Sequence, residues 1–125
     1  MPVITEGLNL GDLLKYEAPN LYSRDQATVI AGQNLALGTV VGVETATSRL
    51  KALDPAATDG AEVAAGVLAL DVDATLIDRD DAILVARHAI VSDAALMWPA
   101  GITPTKKATA IAQLKFLGIL VRKGV

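Results

Sequence analysis

The apolar pattern is densest at residues 63–70 (VAAGVLAL), a block with no polar side chain that is entered from a loop carrying turn residues at both ends, Asp54-Pro55 and Thr58-Asp59-Gly60. A run of this kind predicts a strand covered on both faces, by its own chain or by a neighbouring one. Polar alternation resumes at Asp71, Val72 and Asp73, so the first half is expected to be buried and the second to reach a sheet edge. The runs ATVIA (27–31) and GTVVGVE (38–44) are rich in β-branched residues and predict two more strands, joined as a hairpin. Gly42 within the second marks a bulge or a close backbone approach. RLKAL (49–53) alternates polar and apolar positions, as a half-solvated strand does.

Residues 80–91 (DDAILVARHAIV) are long enough for a helix. Their β-branched Ile83, Val85, Ile90 and Val91, and a charged pair Arg87-His88 that does not fall on one helical face, predict a strand instead. Helical spacing begins at Thr105, a candidate cap, and recurs through Ala108, Ile111, Ala112 and Leu114 to Leu117 until Gly118 offers a C-cap. A short final run, ILVRK (119–123), can add to a sheet edge. Residues 1–24 hold two Pro, two Gly and scattered Leu without a sustained period, and read as an extended arm that gains order on another surface. The expected class is therefore α+β, mostly β. It has a compact β-rich body over residues 25–125, a small barrel or sandwich-like sheet, with one C-terminal helix and an N-terminal arm over residues 1–24.

Composition narrows the function. The 125 residues suit one domain. Aromatics are 3% of the chain, so the 52% apolar content is mostly small aliphatics suited to tight β packing. Eleven basic and 14 acidic residues leave a net charge of -3, which provides no basic field for a phosphate backbone and excludes nucleic acid as an expected partner. The absence of cysteine excludes disulfides and thiolate metal sites. No segment has the apolar length of a membrane span, and the first residues lack the features of a secretory peptide, so synthesis in the cytosol without a membrane partner is expected.

Candidate chemistry is sparse. His88 is the sole histidine, and Ser23, Ser48 and Ser92 lie outside any Gly-x-Ser-x-Gly context. Ser92, His88 and Asp93 sit too close along one strand end to converge as a triad, which leaves His88 as a strand-end or interface residue. Asp71, Asp73, Asp78, Asp80 and Asp81 begin like a calcium loop, but the required Gly and closing Glu do not follow, so they read as a solvated turn. Gly32, Gly38 and Gly42 separate β runs and do not lead into a helix as a phosphate loop would. No catalytic, cofactor-binding or metal-binding residue is expected. Trp98, in LMWPAG, suits either a core plug or the anchor of a contact surface.

Four blocks in order, EAPNLYSRDQATVIAGQNLALGTVVG (17–42), DGAEVAAGVLALDVDA, AILVARHAIV and LKFLGILVR, resemble the lambda D-like head decoration proteins of tailed phages. The resemblance spans the chain from about Glu6 onward. It implies a non-enzymatic homotrimer on threefold and quasi-threefold positions of the expanded capsid, holding the major capsid protein against the pressure of packaged DNA. It places the protein on the outer capsid surface of the virion, reached from the host cytoplasm during assembly. The family's arm pairs with a capsid subunit, a role that maps onto Glu6, Leu8, Leu10, Leu13, Leu14, Tyr16, Leu21, Tyr22 and Arg24. Met97, Trp98 and Pro99 are the candidate trimer contact. Two rival readings are a small-molecule-binding β-barrel and a trimeric hydrolase with an intersubunit site, the latter thinly supported by the available acids, bases and nucleophiles.

Overall fold

Most of the apolar block finds cover within the chain, Val63 excepted. In the computed structural model, which describes residues 9–123, residues Gly66–Leu68 form a barrel strand, β6. The other barrel strands are β2 (Arg24–Val29), β4 (Val40–Glu44), β5 (Arg49–Ala52) and β8 (Arg79–Val85), closed in the order β2-β5-β4-β6-β8. Alternation along each strand sends one side chain inward and the next outward. Val29, Val41, Leu50, Leu68 and Leu84 form one buried cluster drawn from all five strands, the barrel interior. Their neighbours Val40, Val67 and Val85 belong to a second cluster on the outside of the wall.

That outer cluster is closed by a three-stranded sheet and a helix. The sheet runs β1 (Leu14–Glu17), β9 (Ala89–Ser92), β10 (Ile119–Arg122), with β1 antiparallel and β10 parallel to β9. Helix α2 (Pro104–Phe116) packs beside β10 and contributes Ala110 and Leu114, while Val91 and Ile119 come from the sheet. A two-stranded ribbon, β3 (Gln33–Leu35) with β7 (Val72–Ala74), covers one end of the barrel through Leu35 and Val72. The fold is thus α+β and mostly β, with the barrel alternative realised. Gly42 is a close approach: a Cβ there would lie 2.6 Å from the Cα and carbonyl oxygen of Ala61.

Several local expectations are corrected. The strands at 27–31 and 38–44 do not form a hairpin. β2 lies between β5 and β8, and β4 turns back onto β5, because the chain after β2 is diverted through Gly32 (φ 94°) into the ribbon. Within 63–70 three residues are strand and Val63 is half exposed; the Val63 N–H closes a turn onto Gly60, and the Ala64 N–H donates to the Gln113 side chain of α2 at 2.8 Å. The single strand expected over 80–91 is two, β8 and β9, parted where His88 takes a left-handed conformation (φ 48°) and the chain leaves the barrel for the sheet. Helix α2 starts earlier than Thr105, capped by the Thr103 hydroxyl oxygen, which accepts from the Lys106 N–H; Pro104 fills the first position, where no N–H is needed.

The arm is the largest correction. Asn9 and Asp12 form a reciprocal capping box that starts a one-turn helix, α1 (Leu10–Leu13), and β1 follows it directly into the sheet. Leu13 is fully buried, and Leu10 and Leu14 pack on the same cluster. Residues 9–17 are therefore folded into the body, and the boundary expected between 24 and 25 falls inside β2. Glu6 and Leu8 lie outside the described residues. Ser23 ties this region down: its fully buried hydroxyl accepts from the Ala18 N–H at 2.9 Å and donates to the His88 carbonyl at 2.8 Å. Replacement Ser23→Ala orphans both backbone groups and is expected to cost about 1–3 kcal/mol, measured by urea denaturation.

Candidate docking surface

The three-stranded sheet has one face against the core and one face open. Tyr16, Ile90 and Leu120 are register partners across β1, β9 and β10 and form an apolar row on the open face. With Ala18, His88, Ala89 and Gly118 they line a shallow groove of about 400 Å³. Its rim is aromatic and charged. Tyr22 meets the His88 ring edge-on, with centroids 5.2 Å apart, and the Arg87 guanidinium lies 5.4 Å from the Tyr22 centroid. Arg87 Nη1 donates to the Tyr22 carbonyl at 2.7 Å, and its guanidinium pairs with both carboxylate oxygens of Asp25. The hydrogen bond to Asp25 raises the Arg87 pKa above its ordinary value, against a lesser opposing effect of burial.

The arm residues divide by position. Tyr16, Leu21 and Tyr22 are each more than half exposed. Leu21 is turned outward by two successive left-handed residues, Asn20 (φ 61°) and Leu21 itself (φ 59°), in the 3-10 turn Pro19–Leu21. Arg24 is held by Glu17 through two bonds of 2.8 and 2.6 Å, which raise its pKa. Leu13 is in the core, with Leu10 and Leu14 beside it.

Met97, Trp98 and Pro99 also stay together. Met97 is bonded through its backbone to Gly38 and Val40 and leaves a partly exposed side chain. The Trp98 ring packs on the outer core cluster with Lys107 Nζ 5.5 Å from its centroid, and its buried Nε1 has no hydrogen-bond partner among the described residues.

The acidic turn is a set of backbone anchors. Asp71 accepts from the Leu37 N–H and Asp78 from the Ala31 N–H, both at 2.7 Å, and Asp78 also pairs with Arg49 at 2.8 Å. Asp73 accepts from the Thr75 hydroxyl and N–H, bonds that lower its pKa, and Arg79 does the same for Asp81. Among the described residues no group of three or more acidic or imidazole side chains is gathered as a metal site. His88 contacts Tyr22 whereas Asp93 faces Lys107 at 4.0 Å, so the strand-end Ser-His-Asp grouping is not assembled. Sequence reading passed over Leu76, Ile77 and Phe116, all strongly exposed; the available signal was a pair of adjacent large aliphatics inside the acidic turn.

Apolar patches are displayed on a braced barrel and sheet, a surface suited to docking. Residues 3–119 match the family of the bacteriophage lambda head decoration protein D, and the chain belongs to that family. It is thus a structural capsid decoration protein of a phage virion. No curated protein sequence matches the chain significantly. Among the described residues no helix is long and apolar enough to cross a membrane.

Proposed function

We propose that the protein binds the outer surface of the expanded capsid as a homotrimer at threefold and quasi-threefold positions, reached from the host cytoplasm. There it holds neighbouring major capsid proteins together against internal DNA pressure. The family match over residues 3–119 is the observation that carries this reading. Pairing with the capsid subunit is assigned to residues 1–8, which include Glu6 and Leu8, because from Leu10 onward the chain is committed to its own core. The exposed Leu21 and Tyr22 are assigned as additional shell contacts. Met97, Trp98 and Pro99 are assigned to contact between sister copies, with the exposed Met97 side chain and the partly exposed Trp98 and Pro99 supplying apolar area.

Strand addition draws affinity from backbone hydrogen bonds and specificity from alternate side chains. Three such segments on one rigid trimer act together, and a threefold object engages a threefold site without strain. The small-molecule barrel lacks support, because the barrel interior is filled by Val29, Val41, Leu50, Leu68 and Leu84. Purified protein mixed with expanded, DNA-free shells of the matching phage should pellet with them saturably. Protein left in the supernatant at micromolar concentration would contradict the assignment.

A further inference from the structure

The loop between β7 and β8, residues 75–78, places two large aliphatic side chains side by side in solvent: Leu76 is 89% exposed and Ile77 67%. The loop is nonetheless braced. Asp73 accepts from the Thr75 N–H and hydroxyl on one side, and Asp78 accepts from the Ala31 N–H and pairs with Arg49 on the other. A preformed apolar knob loses little conformational entropy when it docks. Its collar is acidic, with five aspartates between residues 71 and 81 against Arg79, which pairs with Asp81, and Arg49, which pairs with Asp78.

The groove over Tyr16, Ile90 and Leu120 has the opposite character. It is concave and apolar, and its volume of about 400 Å³ suits an inserted side chain. Besides the paired Arg87 and Asp25 of its rim, two cations lie close along the chain to its lining residues. Arg122 follows Leu120 by two residues and so projects from the same side of β10, and Lys115 lies in the last turn of α2 just before Gly118. Neither cation is ion-paired among the described residues.

Knob and groove sit at opposite ends of β8. The loop feeds into Arg79, the first residue of the strand, and His88 of the groove lies just past Val85, the last. Seven strand residues span roughly 20 Å, so a copy cannot fill its own groove. We propose that Leu76 and Ile77 of one copy insert into the Tyr16–Ile90–Leu120 groove of a second copy, with the acidic collar against Lys115 and Arg122. The contact is head-to-tail, a geometry that closes into a ring or runs on as a filament. The inference rests on the trimer reading above and names surfaces that close it, in addition to the Met97–Pro99 contact.

Native mass spectrometry of the free full-length chain tests this with two variants, a knob variant (Leu76→Ser with Ile77→Ser) and a groove variant (Leu120→Glu). Each alone should associate at least about tenfold more weakly than wild type, with mass falling toward monomer. Thermal melts within a few degrees of wild type should show that both fold. Mixed in equal amounts, the two should recover pairs, because the knob variant keeps a working groove and the groove variant a working knob. Wild-type mass in either variant, no gain on mixing, or a wild-type chain that stays monomeric in the high-micromolar range would overturn the proposal. A wild-type ring that fails to pellet with shells would instead defeat the shell-binding role and leave this contact standing.

Discussion

Deleting residues 1–8 is expected to abolish shell binding and spare the fold, whereas deleting residues 1–24 is expected to yield a chain that does not fold. Every core residue among those described lies at Leu13 or beyond, so the shorter deletion removes none of them. On the proposed reading it removes three pairing segments from each trimer at once, and with them the avidity of joint engagement, for an expected loss of roughly a hundredfold or more in shell affinity. The longer deletion takes away Leu13, one of the two strands that pair with β9, and the Ser23 hydroxyl that anchors the β8–β9 corner. Truncating a buried leucine such as Leu13 to Ala alone costs about 2–5 kcal/mol. That is a large part of the roughly 5–15 kcal/mol that holds a typical domain together. Circular dichroism melts separate the two deletions, and sedimentation with shells measures the binding loss. Full shell binding by the 1–8 deletion, or a cooperative melt from the 1–24 deletion, would refute the division.

The second large effect is expected at Gly38. Its φ of 92° is in the left-handed region, and a Cβ there would overlap the carbonyl oxygen of Ala95. The backbone has no room to yield. The Gly38 N–H donates to the Leu68 carbonyl at 2.8 Å, and its own carbonyl accepts from the Met97 N–H at 2.9 Å. Conformational strain and overpacking together put Gly38→Ala at about 3–5 kcal/mol. Gly101 supplies the control: it also has a positive φ, 74°, but a Cβ there would meet open space. Gly101→Ala should therefore cost about 1–2 kcal/mol, the conformational part alone. Denaturant titration of both variants checks the difference, and equal costs would show that the Ala95 contact carries no weight.

Strand type was legible in the sequence where side chains alternate or β-branched residues cluster. β4 and β5 lie within residues 38–53 as expected, and the close approach at Gly42 was anticipated from a glycine inside a strand run. Pairing was less legible, because partners are set by closure of the barrel. Nothing local in 27–31 announces that β2 pairs with β8, 50 or more residues later. Gly66 to Ala69 of the 63–70 block are buried as read, but Val63 is half exposed and the length of the strand was overestimated, since the turn at Val63 and the Gln113 bond consume its first residues.

The arm was misread for a related reason. Leu10, Leu13 and Leu14 have no period because they pass from a single helical turn into a short strand, and neither element is long enough to establish one. The Asn9-x-x-Asp12 capping box was the available local signal. Tyr16, Leu21 and Tyr22 are exposed, and sequence spacing could not show that Tyr16 shares an apolar row with Ile90 and Leu120. That row exists because β9 is flanked by strands from both ends of the chain.

An image reconstruction of expanded shells incubated with the protein tests the shell-bound trimer most directly. The account predicts new density on the outer surface at threefold and quasi-threefold positions, with three copies at each. A shell without added density, or density centred anywhere else on the lattice, would contradict it.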